Sequence, residues 1–127
     1  DRWVRSPVHL IDIMPTICGV TGAGYPEKHQ GRAITPVEGV SIKPVFDGGE
    51  SLPNRTLYFD HFGSSAIRQG DWKLVRGNSR YNKAAWELYN IAEDRCETNN
   101  RIHSLPEKAR ALKKLWTQWA ARMKIQQ

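Results

Sequence analysis

The sequence predicts an α+β fold: a small antiparallel sheet of three to four strands packed against a long C-terminal amphipathic helix, preceded by a short helix and a long loop. Three observations carry this. Residues 55–91 hold short aromatic and β-branched runs separated by turn signals. Residues 105–123 repeat their apolar positions at the helical period. Residues 24–54 are rich in glycine, proline and charge, with no sustained period of either kind.

The first element lies in PVHLIDIMPTICGVTGA, residues 7–23. Asp12 is expected to cap a short helix, its carboxylate accepting from the free amides of the first turn. Pro15 then falls in that turn, where a missing N–H costs nothing. Ile13, Ile17 and Val20 form one apolar stripe, and Gly19 or Gly22 ends the helix. The following stretch, residues 24–54, reads as a long loop with one short element, GVSIKPVF, and a turn at the DGG of residues 47–49. A loop of that length in a small domain usually has a function or wraps a neighbour.

The strands follow. RTLYFDHF spans residues 55–62; SAIRQ (65–69) and WKLVR (72–76) flank the tight-turn pair Gly70-Asp71. Alternation puts Trp72 and Leu74 on one face, under the helix, and Lys73 and Val75 on the other. The basic and aromatic stretch AIRQGDWKLVRGN therefore reads as a hairpin whose cations face solvent or a domain contact. In AWELYNI (85–91), Trp86, Leu88 and Asn90 share a face opposite Glu87, Tyr89 and Ile91. After a polar loop, Ser104-Leu105-Pro106-Glu107 fits a capping box. The helix it opens runs to about Met123. Leu115, Trp119, Leu112, Met123, Trp116, Ala109 and Ala120 fall in one arc, with Arg110, Lys113, Lys114 and Lys124 mostly outside it. Trp116 and Trp119 are accordingly core residues.

The chain has 127 residues, enough for one domain with a modest core, and a net charge of +6. That charge is uneven. Residues 1–100 carry 12 Lys+Arg and 12 Asp+Glu; residues 101–127 carry seven cations against Glu107 alone. The basic end reads as a solvated helix face, with steering of anions as the alternative. No run of 18 apolar residues exists, so no membrane span is expected. The sequence opens on Asp1-Arg2-Trp3 with no initiator Met and no visible signal peptide, which reads as a processed product or a cut-out fragment. Cys18 and Cys96 form neither a CxxC pair nor a framework; two buried thiols or one disulfide both fit.

No complete active-site motif is present: there is no GxSxG, HExxH, phosphate-binding loop or GxGxxG. His9, His29, His61 and His103 are scattered without helical spacing, which leaves zinc unsupported. Asp60 and His61 are adjacent, but neighbours on a strand point to opposite faces and make no simple dyad. Nucleic-acid binding is disfavoured because the basic positions lie off the aromatic arc, whereas stacking platforms need both on one surface.

The order of the pieces adds a resemblance. LIDIMPTICGVTGA, GVSIKPVFDG, RTLYFDHFGSSAIRQGDWKLV and WELYNIAEDRCETNN, then a terminal amphipathic helix, resemble the C-terminal part of the arylsulfatase-type sulfatases over roughly residues 7–121. The motifs are D-x-x-P-T, G-V-S, R-x-G-D-W-K-L-V and W-E-L-Y followed by D-x-x-E-x-N-N. The resemblance implies residues 1–30 as the end segment of a sulfatase catalytic domain and residues 31–127 as the C-terminal subdomain. It implies a parent enzyme that hydrolyses sulfate esters with a formylglycine and a Ca²⁺ ion. Neither Cys18 nor Cys96 opens a formylglycine motif of the form C-x-P/A-x-R, so this segment is expected to be inactive alone and to need no cofactor of its own. It implies two partners, the N-terminal sulfatase domain and a sulfated small molecule or glycan, but neither nucleic acid nor membrane. It also suggests a periplasmic, secreted or lysosomal parent. His61 at a strand end, and more weakly Arg68, are the positions carried over as substrate-binding contributors to the pocket rim. The alternative is a stand-alone basic module for sulfated glycans or other polyanions.

Overall fold

The computed structural model describes residues 3–77 and 84–125; Asp1, Arg2 and the Asn78 that closes the basic hairpin stretch lie outside them. The chain forms two compact units, Asp1–Pro53 and Asn54–Gln127.

In the first unit a 3₁₀ turn, Leu10–Asp12, runs directly into helix α1, Ile13–Thr21. The expectation that Asp12 caps α1 is corrected. Asp12 is itself helical and makes no capping bond to the first turn of α1. The start lies three residues earlier, at His9, whose backbone is extended (φ −135°, ψ 156°). The His9 ring accepts from the Ile11 N–H, and the Asp12 carboxylate accepts from the His9 N–H at 2.8 Å. The two helical segments are continuous, so the polar side chain at their junction faces back along the chain. α1 ends at Gly22, whose left-handed φ of +73° suits glycine. Gly19 stays inside the helix; a Cβ there would meet the Ser41 Oγ at 2.8 Å. Strands β1 (Lys28–His29) and β2 (Arg32–Ala33) form a short hairpin that the loop reading did not contain. Both strands are exposed on both faces, so no alternation marks them. The boundary at residue 30 inferred from the resemblance falls in their turn. Helix α2, Lys43–Phe46, is the short element within GVSIKPVF.

The second unit is a meander of four antiparallel strands: β3 (Thr56–His61), β4 (Ser64–Gln69), β5 (Trp72–Arg76) and β6 (Glu87–Asn90). Helix α3, Pro106–Arg122, packs on one face. Ile67, Leu74 and Leu88 meet Ala109, Leu112, Trp116 and Ala120 to make the core. Trp116, 2% exposed, donates its indole N–H to the Phe59 carbonyl at 3.2 Å. Tyr58 stacks on Trp119 with ring centroids 5.1 Å apart. The sequence reading of the helix face and of Trp72 and Leu74 therefore matches the packing except at Met123, which caps the C-terminus of α3 and is exposed. The capping box does not. The N-cap is Leu105, and Pro106 occupies the first turn, where its fixed φ and missing N–H are tolerated. Ser104 is thereby one residue too early, and its hydroxyl donates to the Arg101 carbonyl at 3.1 Å. Glu107 pairs with Arg110 instead of reaching back.

Candidate functional site

His61 is the last residue of β3 and sits opposite Ser64 across the two-residue turn Phe62-Gly63. Both turn residues have positive φ, +46° and +82°. This is the mirror-type turn whose twist matches a hairpin, although asparagine or glycine is the usual first residue. Phe62 is 82% exposed, and its ring meets the exposed His61 ring edge-on, centroids 4.4 Å apart. Asp60 points to the opposite face by strand alternation, where its carboxylate accepts from the Ser65 hydroxyl at 3.3 Å. The adjacent acid and imidazole do not act on one another.

Arg68 lies on β4, opposite Leu57 on one side and Lys73 on the other. Its Nε–H donates to the Gly70 carbonyl at 3.2 Å. Strand alternation places His61, Phe59, Arg68 and Lys73 all on the face away from α3. His61 and Arg68 are nevertheless four residues apart in register, about 13 Å along the strands at 3.3 Å per residue. The structure puts them on one face without bringing them together. Lys73 is paired with Glu97, and Tyr89, buried on this face, donates its hydroxyl to Glu87 at 3.1 Å. Burial first, then the hydrogen bond to Glu87 and the surrounding acids, push the Tyr89 phenol above its ordinary value.

A set of polar contacts in the first unit was not read from the sequence. Asp12 is 2% exposed, and its second carboxylate oxygen accepts from the Val40 N–H at 3.0 Å. Four residues on, the Thr16 hydroxyl donates to the Asp12 carbonyl at 2.6 Å and accepts from the Ile42 N–H at 3.0 Å. Gly39 lets the two segments touch, because a Cβ there would stand 2.1 Å from the Ile11 carbonyl oxygen. The D-x-x-P-T and G-V-S motifs are thus the two halves of one clasp. The i, i+4 spacing of Asp12 and Thr16 was the available signal.

The stripe expected on α1 exists but faces outward. Ile13, Ile17, Val20 and Met14, with Leu10 and Val8 before them, are all at least 49% exposed. Val8, Leu10, Ile13, Ile17 and Ile42 line a shallow apolar groove of about 440 Å³.

Among the described residues, no three of His, Cys, Asp and Glu are grouped so as to hold a metal ion. Cys18 and Cys96 are free thiols, half-buried and exposed respectively and so not the buried pair expected, and neither opens a formylglycine motif. The described residues do not fit a Ca²⁺ site; the letters S-x-P/A-x-R occur at residues 51–55 and 64–68, the second stretch lying within strand β4. No helix among them is long and apolar enough to cross a membrane.

No protein-family model matches the chain. An uncharacterized sulfatase of Schizosaccharomyces pombe is 29% identical over 117 residues, which cover 90% of this chain and 21% of that protein. A protein solved in complex with its substrate D-glucosamine-2-N,6-O-disulfate matches with a TM-score of 0.62 and 21% identity over 89% of this chain and 24% of its own. Ps i-CgsB matches with a TM-score of 0.67 and 22% identity, over 91% and 24% respectively. The structural matches establish the fold: an α+β unit of the kind found in a minor part of these larger proteins. In sequence the chain is similar to the fungal sulfatase, and these likenesses are consistent with a C-terminal sulfatase segment. The chain spans about a fifth of the length of that fungal relative.

Proposed function

We propose that this chain is the C-terminal portion of an enzyme that hydrolyses sulfate esters, with residues 1–30 closing the catalytic domain and residues 31–127 forming the subdomain beside it. Its role is to complete the parent's structure and shape the rim of the substrate pocket, through His61 and, secondarily, Arg68. The observation that carries this reading is the outward apolar face of α1. An amphipathic helix this short gains its stability from packing its apolar side. The matched relatives have roughly three quarters or more of their length outside the matched region, ample chain to cover that side. A sulfated sugar is the substrate class favoured by the relative solved with a glucosamine disulfate.

An aryl sulfate assay with added Ca²⁺ tests it, run on this chain and on the full-length parent. Turnover by the parent alone, with a raised KM in the His61→Ala parent, is the expected result. Turnover by this chain in isolation contradicts the proposal.

A further inference from the structure

We propose that the cleft between β6 and the first half of α3 binds a sulfated monosaccharide unit. Its volume is about 440 Å³, within the range of about 300–1,000 Å³ typical of small-molecule sites. The floor is apolar, made by Trp86, Ile102, Pro106 and Ala109. Trp86 is held firmly: its ring meets Trp116 edge-on at 5.4 Å, and the Arg76 guanidinium lies 5.1 Å from its centroid. A fixed indole is a wall against which the C–H face of a sugar ring packs without first losing side-chain freedom.

The rim is basic on the helix side. Pro106, Ala109, Arg110 and Lys113 stand at i, i+3, i+4 and i+7, so one face of α3 delivers both the floor and two cations. The His103 imidazole borders the same edge. Lys113 has no ion-pair partner among the described residues. Arg110 pairs with Glu107, but both side chains are more than 70% exposed, and such surface pairs exchange at little cost. Glu87 borders the cleft from β6, but its carboxylate lies with Tyr89 on the strand face away from α3 and accepts from that hydroxyl. Asn100 lines the same region. An apolar indole beside a basic rim calls for a ligand with a ring that packs on the one and an anionic end that meets the other. Naming the anion as sulfate rests on the sulfatase reading; the site itself rests on the cleft.

The test titrates the 127-residue chain with glucose 6-sulfate at low salt, following amide shifts by NMR. Saturable shifts confined to residues 85–87 and 100–113 are expected. Lys113→Ala weakens binding about tenfold, the worth of one charge-assisted contact, while Lys114→Ala, which removes the same charge outside the cleft, changes it less than about twofold. Both are exposed helix positions, so folding is not at stake. Equal weakening by the two variants overturns the site in favour of diffuse attraction to the basic helix. So does absence of saturable binding, or binding of inorganic sulfate as tight as that of the ester. Because the titration is independent of turnover, an active parent whose C-terminal segment binds nothing removes this site alone. Binding by the segment of a parent inactive on sulfate esters removes the sulfatase reading alone.

Discussion

The clasp in the first unit makes a quantitative prediction. The Asp12 carboxylate accepts two backbone N–H groups, from His9 at 2.8 Å and Val40 at 3.0 Å, and is almost wholly buried. Asp12→Asn keeps the shape but offers one acceptor oxygen; its NH₂ must face the other N–H. A hydrogen bond to a charged group is worth about 1.5–3 kcal/mol. Losing one should therefore speed hydrogen exchange at either the His9 or the Val40 amide by roughly 10- to 150-fold, and Asp12→Ala should expose both. The Ile34 amide, bonded to the Glu27 carbonyl at 3.1 Å within the same unit, serves as the control and should keep its protection. If Asp12→Ala leaves the Val40 amide exchanging at its original rate, the carboxylate does not hold the clasp and the reasoning fails.

Two further outcomes follow from local geometry. Phe62 occupies a left-handed position, at φ +46°, that costs a bulky residue about 1–2 kcal/mol, so Phe62→Asn should raise stability to urea by about 0.5–1 kcal/mol after loss of the His61 ring contact; a lowered midpoint would mean that the ring contact outweighs the strain. Burial and the neighbouring Glu87 hold the Tyr89 phenol above its ordinary value of 10.0, so the native state holds its proton more tightly than the unfolded chain and stability falls as pH climbs above about 10. Tyr89→Phe should flatten that alkaline fall, read by urea denaturation at pH 8 and at pH 10.5, and an unchanged slope would refute the assignment.

What the sequence made legible depended on periodicity. The arc on α3 put Ala109, Leu112, Trp116 and Ala120 into the core because a 17-residue helix samples its apolar stripe several times over. The alternation in WKLVR placed Leu74 inside for the same reason. Short or exposed elements carried no such signal. The β1–β2 hairpin has two residues per strand, all exposed, so neither burial nor alternation could mark it. Both capping assignments failed in a related way. Asp12 and Ser104 are of types that cap helices, but the starts fall on other residues: a 3₁₀ turn continuous with α1 moved one to His9, and Pro106 moved the other past Ser104 to Leu105. His61 was placed correctly at a strand end. Its distance from Arg68 was beyond reach, because it depends on the pairing register of β3 with β4.

The motifs that carried the resemblance turn out to fasten one another. Asp12 and Thr16 hold the amides of Val40 and Ile42. Asn100, from D-x-x-E-x-N-N, accepts from the Leu88 N–H at 3.1 Å and the Ile102 N–H at 3.0 Å, binding the loop to the W-E-L-Y strand. Asp94 of the same motif accepts from the Asn99 N–H at 2.8 Å and so closes that loop on itself; this bond to the backbone is the main reason its carboxyl lies below the usual value. Glu97 pairs with Lys73 of the G-D-W-K-L-V hairpin. Each motif supplies a polar group that closes a turn or an amide that another motif must satisfy. A buried N–H left unpaired is costly, so these residues need one another whatever the protein does. That is why motifs weak singly become specific in order, and why they fix the fold and leave the substrate unnamed. Chemistry particular to this chain has to be sought at positions the fasteners leave free: His61 at the hairpin tip and Lys113 at the mouth of the cleft.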